Sequence, residues 1–112
     1  MLFAPRLAFI NLSACYEKIM DQRARILQEL TLIPGVGKSI ALDLWNIGIH
    51  GIDELKGKDP LVMYSQSNYF AGQVQDRCLL YVFRCAVFYA ENRFNNPDPE
   101  KLKWWKWKDG NC

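Results

Sequence analysis

Two glycines flank one apolar residue in the stretch of residues 31–41, and a lysine and a serine follow at once. Gly35 and Gly37 have no side chain and can adopt positive φ angles, so the backbone can turn tightly and approach a ligand closely. If a helix begins directly after them, its first amide groups have no acceptor within the helix. These donors, together with the positive end of the helix dipole, suit a phosphate oxygen.

The side chains around these glycines fit the same chemistry. Lys38 adds a full positive charge, and Ser39 adds a hydroxyl donor. Ile33 and Val36 are expected to anchor the turn in the core, and Ala41 is small enough for two helices to pack closely. The predicted phosphate-binding residues are Gly35, Val36, Gly37, Lys38 and Ser39.

The order Gly37-Lys38-Ser39 also occurs in nucleotide-binding P-loops. That motif needs a glycine five residues before Gly37, where Leu32 stands. It also follows a β-strand, whereas the residues before this turn have a helical pattern. The sequence therefore argues against an NTPase.

The apolar periodicity predicts an all-α chain without strands or internal repeats. The longest helix is predicted over residues 75–93, at the centre of the core, because it is apolar on most sides. Asp21 is expected to cap the first helix, Gly48 to end the second, and Asp59 with Pro60 to start a later one. The other helices are predicted over residues 21–30, 38–47, 52–55, 60–70 and 99–107.

The composition sets the size and class of the protein. A chain of 112 residues that is 50% hydrophobic forms about one small domain with a core. We expect residues 21–109 to be that domain, with a poorly determined extension over residues 1–20 and a frayed tail over residues 110–112.

A net charge of +2 is too small to identify a nucleic-acid partner, so the positions of the charges must carry that argument. The single histidine excludes a multi-histidine metal site, and no side-chain metal site is predicted.

The cysteines predict a reducing compartment. Cys78 and Cys85 lie two helical turns apart, roughly 10 Å, which is too far for a disulfide. We interpret them as buried thiols in the cytoplasm, with metal binding or redox chemistry as the alternative. No apolar run is long enough to cross a membrane.

The first residues allow two further interpretations. Residues 12–15 match a lipoprotein cleavage box, but the apolar run before them is shorter than that of a signal peptide. The second hypothesis is that residues 1–19 are an upstream extension and that synthesis starts at Met20.

Leu32-Ile33-Pro34-Gly35-Val36-Gly37, followed by Ala41, resembles the helix-hairpin-helix motif of DNA-repair glycosylases, polymerases and ligases. The resemblance implies a motif over residues 32–48 whose backbone amides contact phosphates. It also implies a monovalent cation, potassium or sodium, and no other cofactor. The carbonyls that would hold this cation belong to Thr31, Ile33 and Val36.

Two wider resemblances extend beyond the turn. Gly-Ile-His-Gly-Ile-Asp-Glu-Leu at residues 48–55 is similar to the C-terminal domain of TfoX-type competence regulators. The chain from residue 30 to 109 resembles the bacterial pathogenicity-locus family, some of whose members are labelled mitomycin resistance proteins. That likeness rests on Leu-Lys-Gly-Lys-Asp-Pro at residues 55–60, Asp-Arg-Cys-Leu-Leu-Tyr-Val-Phe-Arg-Cys-Ala at 76–86 and Leu-Lys-Trp-Trp-Lys-Trp-Lys-Asp at 102–109. It implies a helical fold and no catalytic residues.

Basic residues outside the turn form a secondary set. Arg77 and Arg84 are seven residues apart on one helix face, where they would either contact phosphate or pair with an acid, which would be Asp76 or a carboxylate of another helix. Three tryptophans alternate with lysines near the end of the chain, either as a stacking platform or as a clamp onto the core. His50 is expected to make a hydrogen bond in a turn. The predicted secondary phosphate contacts are Arg77, Arg84, Lys103 and Lys106.

The sequence therefore predicts a small, non-enzymatic DNA-binding module. Its contacts would be independent of base sequence, and they would be weak unless the chain dimerises or docks on a larger DNA-processing complex in repair, competence or stress resistance. The alternative is a protein-interaction adaptor that binds no nucleic acid. An enzyme acting on DNA lesions is the third hypothesis, and the oligomeric state stays open.

Overall fold

Four α-helices and three short 3-10 helices make up the described part of the chain. The computed structural model describes the backbone of residues 3–109 and the side chains of residues 17–109. No strand occurs among residues 3–109, so the predicted all-α class is confirmed. The α-helices are α1 (Phe3–Leu30), α2 (Lys38–Asn46), α3 (Pro60–Ala71) and α4 (Cys78–Asn92). The 3-10 helices are Ile52–Leu55, Pro99–Leu102 and Trp104–Trp107.

Helix α4 lies at the centre of the core, as its sequence predicts. It contacts α3, the 3-10 helix Ile52–Leu55 and both 3-10 helices of the tail. Phe83 and Leu80 are completely buried, in one cluster with Leu44 of α2. Phe88 of the same helix is only partly buried and packs against the Trp107 ring at a centroid distance of 5.4 Å. The other buried residues of α4 are Leu79, Val82, Cys85, Ala86, Val87 and Ala90.

The predicted start of this helix at residue 75 is wrong. Gln75 is held outside the helix by α3, because its amide donates to Asn68 Oδ1 (2.9 Å) and its carbonyl accepts from the Tyr64 hydroxyl (2.6 Å). Helix α4 begins at Cys78, whose amide donates to Asp76 Oδ1 at 2.9 Å. Polar side chains from a neighbouring helix thus decide a boundary that apolar periodicity alone places three residues too early.

Helix α1 differs most from the prediction. It runs over 28 residues and is therefore longer than α4, which has 15. Asp21 lies inside α1 and does not cap it; the exposed carboxylate is 3.9 Å from Arg25 one turn later. Among the described residues, no helix has both the length and the apolar character needed to cross a membrane.

Local signals predict the ends of α2 and α3 well, whereas the helix predicted over residues 99–107 is wrong, because the structure has two 3-10 helices there, Pro99–Leu102 and Trp104–Trp107. The Asp59 carboxylate accepts a hydrogen bond from the Leu61 amide at 2.9 Å, so Asp59 caps α3 as predicted. Gly72 ends α3 with φ 74°, and Gly48 follows α2 with φ 90°. Both glycines adopt the left-handed conformation that closes a helix at little steric cost.

The segment after α2 is tied back to α1. The Glu29 carboxylate accepts from the Ile52 amide at 3.0 Å and so holds the start of the 3-10 helix Ile52–Leu55. The predicted turn hydrogen bond of His50 is made by its amide, which donates to Glu54 Oε1 at 2.9 Å. The imidazole ring instead stacks on Trp45, with 4.1 Å between the ring centroids.

The two described cysteines are free thiols, and the predicted burial is confirmed for Cys85 and wrong for Cys78. Cys85 is buried, and burial raises the pKa of its thiol to about 11. Cys78 is half-buried, and a hydrogen bond with Asp76 raises the pKa of its thiol. The side chains of the lipoprotein-like box at residues 12–15 and the predicted frayed tail at residues 110–112 lie outside the described residues.

We expect Cys85 to resist alkylation in the folded protein. At pH 8, a thiol with a pKa of about 11 is ionised in roughly one molecule in a thousand, and the thiolate is the reactive form. Iodoacetamide labelling followed by peptide mass spectrometry should show Cys85 labelled much more slowly than Cys78 in buffer, and equally fast in urea. Equal labelling of the two thiols in buffer would contradict the burial of Cys85.

Candidate nucleic-acid interface

Residues 31–37, which we call the glycine turn, connect α1 to α2. Two successive backbone hydrogen bonds shape it: the Ile33 amide donates to the Leu30 carbonyl (3.2 Å), and the Val36 amide donates to the Ile33 carbonyl (3.0 Å). Ile33 and Val36 are only 1% and 5% exposed. The predicted anchoring of the turn by these two side chains is therefore confirmed, and Ala41 of α2 is fully buried beside them.

Gly35 is glycine for two separate reasons. Its φ angle is 85°, in the left-handed region that L side chains rarely adopt. A Cβ atom at this position would also lie 2.7 Å from Cδ1 of Trp104, which is far too close. The tail of the chain therefore covers one edge of the turn through Trp104, a contact that the sequence did not reveal.

Gly37 has a different environment. Its φ of −91° and ψ of −170° are open to any residue, so the expected positive φ angle is confirmed at Gly35 and wrong at Gly37. A Cβ atom added here would meet nothing within 4 Å. The fold therefore does not require glycine at position 37, and this side of the turn is open to solvent.

The first turn of α2 presents unpaired amides beside a positive charge. Gly37 occupies the N-cap position of α2 and has no side chain to cap it. The amides of Lys38 and Ser39 fall in the first turn, where helix geometry provides no intrahelical acceptor. Gly37, Lys38 and Ser39 are exposed, and within residues 17–109 the Lys38 side chain forms no ion pair. Amide donors, a hydroxyl and an ammonium group therefore face solvent together.

A groove with two aspartates borders the glycine turn at Gly35, on the edge that Trp104 covers. It has a volume of about 330 Å³, and Gly35, Trp104, Asp43 and Asp76 line it. Partial burial raises the pKa of the Asp43 carboxyl, and its carboxylate has no hydrogen-bond or ion-pair partner among the described residues. Because carboxylates repel a phosphate, we expect an anion to approach the turn from the side of Gly37 and Lys38.

The carbonyls assigned to a monovalent cation lie in the same turn. The Ile33 carbonyl already accepts from the Val36 amide, so it would have to use its second lone pair for a cation. The Thr31 hydroxyl donates to the Gln28 carbonyl at 2.6 Å and ties that residue to the end of α1. Cation binding through Thr31, Ile33 and Val36 stays a prediction.

Arg77 and Arg84 share one carboxylate. Arg77 Nε lies 2.6 Å from Asp109 Oδ2, and Arg84 Nη2 lies 2.8 Å from Asp109 Oδ1. These two hydrogen bonds lower the pKa of the Asp109 carboxyl to about 2. An acid partner for the arginines was expected, but it comes from the tail and not from Asp76. Phosphate contact by the two arginines stays a prediction.

The tail is clamped onto the core by two of its three tryptophans. Trp104 packs against the core cluster, and the Trp107 ring packs against that of Phe88 in α4, with 5.4 Å between the centroids. Trp105 is 47% exposed. The clamp interpretation is thus confirmed for Trp104 and Trp107, and only Trp105 projects into solvent.

Glu100 pairs with both lysines that were predicted to contact phosphate. Lys103 Nζ lies 2.8 Å from Glu100 Oε1, and Lys106 Nζ lies 3.7 Å from Glu100 Oε2. These contacts lower the pKa of the Glu100 carboxyl, chiefly through Lys103. Phosphate binding by the two lysines, which no contact here tests, stays a prediction.

Comparison with known proteins adds a family match. A family model described as "Pathogenicity locus" matches residues 23–111, which include the glycine turn and the tail. A mitomycin resistance protein, McrB, from Streptomyces lavendulae is 35% identical over 77 residues, which cover 69% of this chain and 68% of that protein. No solved structure matches the chain. The resemblances to helix-hairpin-helix proteins and to TfoX stay predictions.

The two glycines of the turn should respond very differently to alanine. Gly35→Ala combines a left-handed backbone with the close approach to Trp104, so we expect a loss of about 2 kcal/mol of unfolding free energy. Gly37→Ala should change that free energy by less than about 0.5 kcal/mol, because its conformation and surroundings accept a methyl group. Urea denaturation of the two matched variants measures the difference, and equal stabilities would contradict this geometry.

Proposed function

This chain belongs to the pathogenicity-locus family, and we propose that it binds the sugar-phosphate backbone of DNA, without reading base sequence, through the glycine turn and the first turn of α2. One observation carries the proposal: α2 begins in solvent, without a side-chain cap, next to an exposed Lys38 that has no ion-pair partner within residues 17–109. Such a helix start is a ready site for a phosphate.

The open side of the turn explains why the contact is with the backbone of DNA. Nothing lies within 4 Å of the position where a Gly37 side chain would begin, so a phosphate group can approach the amides of residues 37–39 directly. Amides and a single lysine hold a phosphate oxygen but do not distinguish base edges. We therefore propose affinity with little sequence preference, in line with a helix-hairpin-helix.

The small size of the site limits its strength. One turn with one lysine engages one or two phosphates, and each neutralised phosphate contributes a slope of about −0.9 to the dependence of log K on log salt. Weak binding of this kind suits a non-enzymatic module within a larger DNA-processing complex. The relative's name, which concerns mitomycin resistance, favours a role in stress resistance, and the proposal implies a cytoplasmic location beside the DNA.

We expect Gly37→Glu to weaken DNA binding while leaving the fold intact. The new carboxylate would stand in the phosphate position, and the extended backbone of Gly37 accepts a side chain. At low salt the dissociation constant should rise at least about tenfold, which corresponds to about 1.4 kcal/mol. Fluorescence anisotropy with a labelled duplex of arbitrary sequence measures this dissociation constant. In the same assay, Lys38→Gln should make the slope of log K against log salt concentration shallower by about one.

Gln73→Glu is the matched control, because it adds the same negative charge at an exposed position after α3. It should change the dissociation constant much less than Gly37→Glu does. If the two variants bind equally, or if Gly37→Glu binds as tightly as the original chain, the glycine turn is not the contact site.

The adaptor alternative is favoured by one face of α3. The outer face of α3 exposes large apolar side chains, whereas Met63, Tyr64 and Ser67 on the opposite face are buried. No charged residue occurs between Pro60 and Gln75. The exposed members are Leu61 (53%), Val62 (50%), Tyr69 (91%) and Phe70 (64%).

The occupant that this outer face suits best is a second copy of the chain. A two-fold contact places each patch against itself, so any charge would face its own sign, and this patch carries none. Aromatic enrichment and depletion of charge are features of the centres of protein interfaces. The alternative is therefore self-association through the outer face of α3, with no nucleic acid involved.

Phe70→Lys should abolish that self-association, because it places a charge opposite its own copy. Phe94→Lys, the same change at another exposed phenylalanine, should leave it unchanged. Sedimentation velocity at two salt concentrations distinguishes the cases, since an apolar contact is nearly insensitive to salt. A chain that stays monomeric at every concentration, or that responds equally to both variants, contradicts this alternative.

A further inference from the structure

Three donors, two on α4 and one at its N-cap, hold the carboxylate at the end of the described tail. Arg77 Nε donates to Asp109 Oδ2 at 2.6 Å, and Arg84 Nη2 donates to Oδ1 at 2.8 Å. The Tyr81 hydroxyl donates to Oδ2 at 3.3 Å. Both oxygens of a single anion are therefore occupied by donors from one helix face. We call Arg77, Tyr81 and Arg84 the arginine clasp.

The donors of the clasp all come from the start of α4, and the tail supports one of them through Trp107. The three residues of the clasp are spaced four and then three positions apart, so they project from the same side of the first turns of α4. Two further contacts hold Arg84. Its Nη1 donates to the carbonyl of Trp107 in the tail at 2.8 Å, and its guanidinium lies 5.7 Å from the Tyr81 ring centre. The donors should therefore keep their arrangement when the carboxylate leaves.

The anion in the clasp is accessible to solvent. The side chains of Arg77 and Asp109 are 53% and 42% exposed, and that of Arg84 is 29% exposed. An exposed ion pair contributes little to stability, so its exchange for another anion costs little. Trp104 packs against the core cluster and Trp107 against the Phe88 ring of α4, and neither contact involves Asp109. Only the last described residues would have to move.

The charge balance favours a stronger anion than one carboxylate. Two arginines face one carboxylate in the clasp, so one of the two positive charges has no opposite charge there. The two non-bridging oxygens of a phosphodiester present the same acceptor pair as a carboxylate, and arginine binds either one in two-pronged fashion.

We propose that the arginine clasp is a second phosphodiester-binding site, which Asp109 fills in the free protein and which a DNA phosphate occupies by displacing that carboxylate. The proposal deepens the proposed function, on which its choice of ligand rests, and it adds a site that the tail keeps closed. The chain would then bind DNA weakly until Asp109 is displaced, and the clasp would supply up to two further phosphate contacts.

Asp109→Asn tests the proposal, because it removes the competing charge and keeps the size of the side chain. Asp53→Asn is the matched control: it makes the same change of charge, and Asp53 also pairs with an arginine, Arg93 at the other end of α4, whose Nη2 lies 3.3 Å from its Oδ1. Arg77→Gln/Arg84→Gln and the triple variant with Asp109→Asn complete the set. Circular dichroism and thermal unfolding check that each variant is folded.

Duplex binding is measured by fluorescence anisotropy at several salt concentrations. We expect Asp109→Asn to bind several-fold more tightly than the original chain, with a salt slope steeper by about one to two, and Asp53→Asn to have little effect. The triple variant should lose the gain. An equal gain in Asp53→Asn, a gain that persists in the triple variant, or no gain in Asp109→Asn would each overturn the proposal.

A titration with inorganic phosphate separates the clasp from the glycine turn. In Asp109→Asn, the arginine Nε–H signals of Arg77 and Arg84 should shift in ¹⁵N NMR spectra at phosphate concentrations that leave the original chain unchanged. If they shift while Gly37→Glu has no effect on duplex binding, the clasp stands and the glycine turn fails. If Gly37→Glu weakens duplex binding and these signals do not move, the clasp fails and the proposed function stands.

Discussion

The burial of α4 is the constraint on which the rest of this structure depends. The helix is apolar on nearly all sides, so a chain of 112 residues must cover it from several directions at once. Helix α3 and the 3-10 helix Ile52–Leu55 cover two sides, and the tail covers another with Trp104 and Trp107. The tail is therefore part of the domain. Its path over α4 brings Trp104 to the glycine turn and Asp109 to the two arginines of the clasp.

Local signals in the sequence predict much of this fold. Asp59 before Pro60 and the glycine after each of α2 and α3 mark boundaries, because the chemistry of a cap lies within a few residues. The start of α4 could not be predicted in this way, since Gln75 is held by side chains of α3. Nor could the length of α1, because Asp21 has the chemistry of a cap but lies within a continuous helix. Two local structures can compete at such a position, and tertiary contacts decide between them. A local sequence pattern does not show which one they favour.

The candidate site shows the same division. The anchoring of the turn by Ile33 and Val36 follows from alternating apolar and glycine residues. The functions of the two glycines do not follow: one is required by its backbone angle and its neighbour, whereas the other only leaves space. The partner of Arg77 and Arg84 lies 32 and 25 residues further along the chain. That partner is Asp109, and no local pattern in the sequence links it to α4.

The contact between Gly35 and Trp104 restricts how related sequences can diverge. These residues are 69 positions apart, yet the indole ring occupies the space that any side chain at position 35 would need. A larger residue in the turn would require a smaller one in the tail, and a shift of the tail would then expose apolar surface of α4. The two positions must therefore vary as a pair. An alignment of homologues should contain tryptophan at position 104 only where position 35 is glycine.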